Sequence, residues 1–141
     1  LAPLVVEAVA AECETECSSL DVYIGEMLRS AGPRDDSPGS ASMPSEVRAA
    51  LEQAYPDAEF VSPIDSRALF TNDFLVDRGR GVIVSIGQME QLSSDVIGIE
   101  VDVTTARDGG HGGVHQFMWD GETWRSATPE ETGIPEERWI S

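Results

Sequence analysis

The chain has 141 residues and a formal net charge of −17, because 26 Asp and Glu residues outnumber nine Lys and Arg residues. Hydrophobic residues make up 40% of it, an ordinary share for a globular protein, and no apolar run approaches the roughly 20 residues of a membrane-spanning helix. Nucleic acids and anionic lipids attract Lys and Arg side chains, so the composition argues against nucleic acid binding and membrane insertion.

The charged residues also bear on where the protein works. All nine cations are Arg, and Asn72 is the only Asn, which indicates either a GC-rich genome or a high-salt habitat. The numbering begins at Leu1 rather than Met, for which a cleaved signal peptide is one reading and a shortened chain another. We expect a secreted or extracytoplasmic protein, with the cytoplasm of a halophile as the alternative.

Residues 1–30 are predicted to be an N-terminal helical segment. Their apolar residues recur at spacings of three and four, as on one face of a helix: Val5, Val9, Cys13, Cys17, Leu20, Ile24, Met27 and Leu28. Ser18 and Asp21 resemble a capping box, so a break there with a second helix from Ser19 to Arg29 is an alternative. Residues 31–43 are rich in Gly, Pro, Ser and Asp, which predicts a flexible loop.

From Pro44 onward the sequence predicts one helix and then a sheet. Pro44 and Ser45 introduce a helix over Glu46–Tyr55, and after Glu59 the apolar period changes to two. The clearest strand covers residues 96–105, whose apolar face is predicted to be buried and whose polar face is predicted to be solvated. A turn over DGGHGG and a hairpin at Asp120-Gly121 follow it.

Together these elements predict a single α+β domain over residues 1–141. N-terminal helices would pack on a curved antiparallel sheet, a meander of four to five strands, with residues 44–141 supplying a helix followed by that sheet.

Parts of the chain resemble known small domains. The stretch MPSEVRAALEQAYPDAEFV is similar to the helix-then-strand opening of PepSY-like secreted modules. The stretch GVIVSIGQMEQLSSDVIGIEVDVTTARDG, with FMWDGETW and the terminal WIS, resembles small uncharacterised bacterial extracytoplasmic domains. The order of a helix followed by a meander also resembles NTF2-like and cystatin-like folds. These resemblances imply a secreted or envelope setting.

Four residues of special chemistry stand in two pairs. His111 and His115 have the spacing H-x3-H and are candidate metal ligands, although the surrounding glycines disfavour the helix that would bring them together. Cys13 and Cys17 have the spacing C-x3-C, which leaves two alternatives: buried thiols on one continuous helix, or a disulfide where the helix is broken.

No catalytic motif and no cofactor motif stands in the sequence, so it favours a non-enzymatic role without a cofactor. We expect a protein-binding or self-assembly domain whose partner is another protein or a second copy, that is, an oligomer. One alternative is a ligand-binding or enzymatic NTF2-like domain with a pocket between helix and sheet, lined by His115, Trp119, Asp102 and Arg107. The other is a metal-binding protein that uses His111 and His115.

Overall fold

The computed structural model describes residues 1–29, 41–71 and 74–140. The helices of these residues are α1 (Ala2–Glu12), α2 (Glu16–Ser19), α3 (Ser45–Ala54), α4 (Pro63–Ala68) and α5 (Pro129–Thr132). The strands are β1 (Asp21–Gly25), β2 (Met27–Leu28), β3 (Ala41–Ser42), β4 (Glu59–Val61), β5 (Gly81–Ile86), β6 (Glu90–Ser93), β7 (Val96–Ala106), β8 (Gly109–Trp119), β9 (Trp124–Ser126) and β10 (Arg138–Ile140). Within these ranges no helix combines the length and the apolar character that crossing a membrane requires.

The strands form one large mixed sheet and one small sheet. The large sheet has eight strands in the order β10-β8-β7-β5-β1-β4, with β6 beside β7 and β9 beside β8, while β2 and β3 pair separately. Strand β1 is parallel to both β4 and β5, and the other pairs are antiparallel. The prediction of a domain that mixes helices with a sheet is therefore confirmed. The prediction of a four- to five-stranded antiparallel meander is wrong.

The prediction that residues 1–30 are helical holds for α1 and α2 but is wrong from Asp21 onward, where β1 is an interior strand of the sheet between β5 and β4. Helix α1 ends at Glu12, and Cys13 leaves helical geometry with φ −111° and ψ 39°. After the single turn of α2, the β-branched and aromatic residues Val22, Tyr23 and Ile24 favour an extended strand. Parallel strands need long crossovers, and α3 and α4 lie in the connections from β1 to β4 and from β4 to β5.

The helices are not confined to the N-terminal part, since α4 and α5 interrupt the strands. Each begins at a cap that its sequence supplies. The Ser62 side chain accepts a hydrogen bond from the backbone N–H of Asp65, and Thr128 and Glu131 form a reciprocal capping box.

The helix predicted at Glu46–Tyr55 is confirmed as α3, which buries Val47 and Leu51. The predicted loop over 31–43 falls on residues 30–40 for most of its length, outside the described part of the chain. Its last residues, Ala41 and Ser42, form β3 and pair with Leu28 and Met27.

The main core lies between one face of the sheet and the helices α1 and α3. Its most buried apolar side chains come from α1, α3, β1, β5, β7 and β8: Ala8, Val9, Leu51, Ile24, Val82, Val84, Ile86, Ile99, Val101, Val103 and Phe117. The alternation predicted for residues 96–105 is confirmed, since Ile97, Ile99, Val101 and Val103 are buried. The intervening Glu100 and Asp102 are half-buried rather than fully solvated.

The run DGGHGG is mostly strand rather than turn. Only Arg107 and Asp108 form the turn, and β8 begins at Gly109. A Cβ at Gly110 would lie 2.3 Å from the carbonyl oxygen of Val103, so the close approach of the two strands there requires a glycine.

Candidate functional site

Glu12 is a buried carboxylate at the C-terminal end of α1. It follows Ala8 by one helical turn and therefore lies on the apolar face of the helix. Its side chain is 1% exposed. Burying a carboxylate is costly unless donors surround it, so its partners define the site.

Three side chains donate hydrogen bonds to Glu12. His111 donates from Nδ1 to Oε2 at 2.5 Å, and His115 donates from Nε2 to Oε1 at 2.9 Å. Arg138 donates from Nη2 to Oε2 at 3.0 Å. The carboxylate thus joins α1 to β8 through the histidines and to β10 through the arginine.

The glycine pattern of β8 explains how the carboxylate fits between two histidines. His111, Gly113 and His115 alternate along β8 and lie on the face that meets α1. A Cβ at Gly113 would stand 3.3 Å from Glu12 Oε1, tighter than ordinary contact. The missing side chain of Gly113 therefore leaves the space that the carboxylate occupies.

Glu16 holds the other nitrogen of His111. His111 donates from Nε2 to Glu16 Oε1 at 2.7 Å, so both ring nitrogens face carboxylates. Only a protonated imidazole donates from both nitrogens. Glu12, Glu16, His111, His115 and Arg138 are together called the Glu12 cluster below.

A disulfide holds the turn that carries both glutamates. Cys13 and Cys17 are bonded, with their Cα atoms 5.3 Å apart, which lies within the usual range for disulfides. Each cysteine directly follows one of the glutamates, Glu12 or Glu16. The disulfide therefore crosslinks the turn from which Glu12 and Glu16 reach the two sides of the His111 ring.

The two central ionisable groups have opposite pKa shifts. Burial raises the pKa of Glu12, but the hydrogen bonds from His111, His115 and Arg138 outweigh it and leave the pKa below its ordinary value of 4.5. Burial lowers the pKa of His111, but the hydrogen bonds to Glu16 and Glu12 outweigh it and leave the pKa above its ordinary value of 6.5. Both shifts favour the charged pair.

A groove of about 740 Å³ adjoins the Glu12 cluster at the edge of the sheet. Its lining comes from β7, β8 and β10: Thr105, Gly110, His111, Arg138, Trp139 and Ile140. The interface between α1 and the sheet, by contrast, is filled by buried apolar side chains. His111 and Arg138 belong to both the groove and the cluster, so the two are contiguous.

Trp139 is held in place on the opposite face of β8. It pairs with Gly112, and a Cβ at Gly112 would lie 2.5 Å from the indole. The indole Nε1–H donates to Asp102 Oδ1 at 3.2 Å, and Asp102 also accepts from Arg29 at 3.3 Å. Gly112 thus admits the ring, and Asp102 orients it at the rim of the groove.

Strand β10 presents backbone donors away from the sheet. The backbone N–H of Val114 donates to the carbonyl of Glu137, which places Glu137 in a hydrogen-bonded pair with β8. Such pairs alternate along an antiparallel ladder, so the N–H groups of Arg138 and Ile140 point outward. Among the described strands β10 pairs only with β8, and Ile140 is 89% exposed.

The structure disperses the four residues predicted to line a ligand pocket. His115 bonds Glu12, whereas Asp102 bonds Trp139 and lies on the opposite sheet face. Trp119 packs against Trp124 with ring centroids 5.6 Å apart. The Arg107 guanidinium lies 5.1 Å from the ring of Phe74.

The two candidate metal ligands share one carboxylate. His111 and His115 both bond Glu12, and the second nitrogen of His111 bonds Glu16. In the part of the chain that the structure describes, no group of three or more His, Cys, Asp or Glu side chains is arranged to hold a metal ion.

Glu12, Glu16 and Arg138 are the members of the cluster that sequence reasoning missed. Glu12 lies on the buried face of α1, where two histidines and an arginine donate hydrogen bonds to its carboxylate. Its position one helical turn after the apolar Ala8 was the feature of the sequence that could have indicated its burial. No local pattern marks Arg138, which meets Glu12 only through the fold.

The resemblance to PepSY-like, NTF2-like and cystatin-like domains stays a prediction, and so does the resemblance to small extracytoplasmic domains. Comparisons of the chain with protein-family models, with curated proteins and with solved structures found no match. The features that bear on its function are the Glu12 cluster, the groove and β10.

Proposed function

We propose that this protein is a non-enzymatic, extracytoplasmic binding domain that takes up an extended segment of a partner protein along β10. The observation that carries the proposal is the combination of outward backbone donors at Arg138 and Ile140 with a groove beside them. An open sheet edge is a template for pairing with another chain. Backbone pairing would supply affinity, and the groove would receive an alternate side chain of the segment.

Trp139 and Ile140 supply the apolar contacts for such a segment. Tryptophan is enriched among the residues that dominate binding energy at protein interfaces. The indole of Trp139 is already fixed by Asp102 and Gly112, so little rotamer freedom is left for binding to remove. Ile140 at 89% exposed is apolar surface that a partner would cover.

Charge argues for a basic partner rather than a second copy. The chain carries −17, and Glu136 and Glu137 are exposed directly before β10. Two copies would repel one another, whereas a positively charged segment would be attracted and its association accelerated. Self-association at high salt, where screening weakens the repulsion, is the competing outcome.

The disulfide supports the extracytoplasmic setting. Disulfides persist in secreted and extracytoplasmic proteins and are rare in the reducing cytosol of most organisms. The bond between Cys13 and Cys17 is therefore easier to account for outside the cytoplasm than in the cytoplasm of a halophile.

Titration of isotope-labelled protein with a short peptide of alternating Lys and Val tests the proposal. We expect chemical-shift changes centred on Arg138, Trp139 and Ile140, weaker at high salt and absent with a matched Glu and Val peptide. I140P removes an outward donor at a strand edge, where proline is tolerated, and should abolish the changes. I140T keeps the donor and should preserve them.

Two results would overturn the proposal. One is a titration in which the basic peptide leaves the resonances of β10 unchanged. The other is light scattering that shows a dimer at low salt whose interface is disrupted by I140P, because β10 would then serve self-assembly.

A further inference from the structure

We infer that the Cys13–Cys17 disulfide is a redox-controlled clamp on the edge that carries β10. This inference rests on the proposed function only for its biological purpose, because the clamp itself is a property of the free protein. The bond joins the residues that follow Glu12 and Glu16, and both glutamates hold His111. His111 in turn lines the groove.

The end of α1 lacks two features that commonly stabilise a helix terminus. Its C-terminal turn carries no basic residue, and Cys13 does not adopt the left-handed cap geometry that commonly ends a helix. Glu12, the last residue of α1, must nevertheless keep its carboxylate against β8 and β10. Crosslinking Cys13 to Cys17 restricts this turn directly.

A path of contacts connects the disulfide with β10. Glu12 accepts from Arg138 of β10 at 3.0 Å, and from His111, which pairs with Ile140 across β8 and β10. Loss of the crosslink would free Glu16 from His111 first, since Glu16 makes this one contact to the cluster and is 25% exposed. The Glu12 bond to Arg138 would then loosen as the turn frays.

The reaction is thiol–disulfide exchange with a dithiol. A thiolate of the dithiol attacks Sγ of Cys17, which is half-buried, whereas Cys13 is 1% exposed. The bond between the two protein sulfurs breaks, and Cys13 leaves as a thiolate that takes up a proton. The second thiol of the reagent then displaces Cys17 and closes the reagent's own disulfide, so two electrons pass from reagent to protein.

The clamp can be tested by amide hydrogen exchange of the full chain, measured with and without dithiothreitol. No peptide is present in either sample. Closing so short a loop changes a local opening equilibrium by up to about 30-fold. We therefore expect exchange of the Trp139 amide to accelerate by up to that factor on reduction. Amides of β4, which lies at the opposite edge of the sheet from β10, should change little.

Variants separate the clamp from a general loss of stability. The double variant C13S/C17S should reproduce the reduced protein and no longer respond to dithiothreitol. E16Q keeps the disulfide but weakens its connection to His111, so reduction should affect Trp139 less in this variant than in the native sequence.

Two outcomes would overturn the inference. One is unchanged exchange at Trp139 on reduction, and the other is equal acceleration in β4 and β10, which would make the disulfide a global stabiliser only. Because no peptide is present, either outcome leaves the peptide titration independent. Conversely, a failed titration combined with faster exchange at Trp139 would refute the proposed function and retain the clamp.

Discussion

Replacing Glu12 with Gln tests whether the buried carboxylate holds the fold together. E12Q keeps the shape of the side chain but removes the charge that His111, His115 and Arg138 share. Breaking a buried ion pair by removing one partner typically costs about 3–5 kcal/mol. The lower end applies here, because the side chains of His111 and Arg138 are 28% and 48% exposed and regain water.

The assay is urea unfolding at pH 6, where Glu12 is ionised and His111 is protonated. A loss of about 3 kcal/mol, with a slope of about 1.5 kcal/mol per molar urea, lowers the midpoint by about 2 M. E7Q is the matched control, because Glu7 is exposed on the same helix. E16Q should fall between them at about 1 kcal/mol, since it removes one half-exposed hydrogen bond.

The reasoning would be refuted if E12Q and E7Q unfolded at the same urea concentration. That result would mean that the hydrogen bonds to Glu12 only offset the cost of burying it. A midpoint for E12Q equal to that of E16Q would show that His111, rather than the carboxylate, is the centre of the cluster.

Three further measurements check the structure around the cluster. G112A should displace the Trp139 indole, because its Cβ would lie 2.5 Å from the ring. We expect the free energy of unfolding to fall by about 1–3 kcal/mol and the tryptophan fluorescence to shift to the red. Unchanged emission would contradict the placement of the ring. Reducing the Cys13–Cys17 bond should lower stability by about 2 kcal/mol in the loop-entropy account, measured by urea unfolding with and without reductant. The raised pKa of His111 makes its contribution to stability complete below pH 6.5 and lost as pH rises through the folded pKa, so H111N should flatten this part of a stability–pH profile.

Elements whose residues alternate or repeat strictly could be predicted from the sequence. Val47 and Leu51 mark the buried face of α3, and Ile97 to Val103 alternate along β7, because in each case one side of the element meets the core. Burial on one side imprints a period on the residues. For these elements the local pattern is enough to predict both the type of element and its buried face.

Elements that depend on distant partners were predicted incorrectly. Ile24 fits the helical spacing of the preceding residues, yet it belongs to a strand flanked by β4 and β5. From the sequence, Gly112 and Gly113 were predicted to lie in a turn. In the structure they lie in a strand, where the Trp139 indole packs on Gly112 and the Glu12 carboxylate packs on Gly113. In the same way, Glu12 and Arg138 meet only because α1 and β10 lie against the same strand.

The position of β1 between β4 and β5 has a consequence for the order of folding. This strand is synthesised before every other strand of the large sheet, yet both of its neighbours, β4 and β5, begin only at Glu59 and Gly81. A ribosome must therefore release most of the chain before Val22 and Ile24 find their hydrogen-bonding partners. Closing loops of that length carries an entropic cost before any contact compensates it, so we expect slow folding.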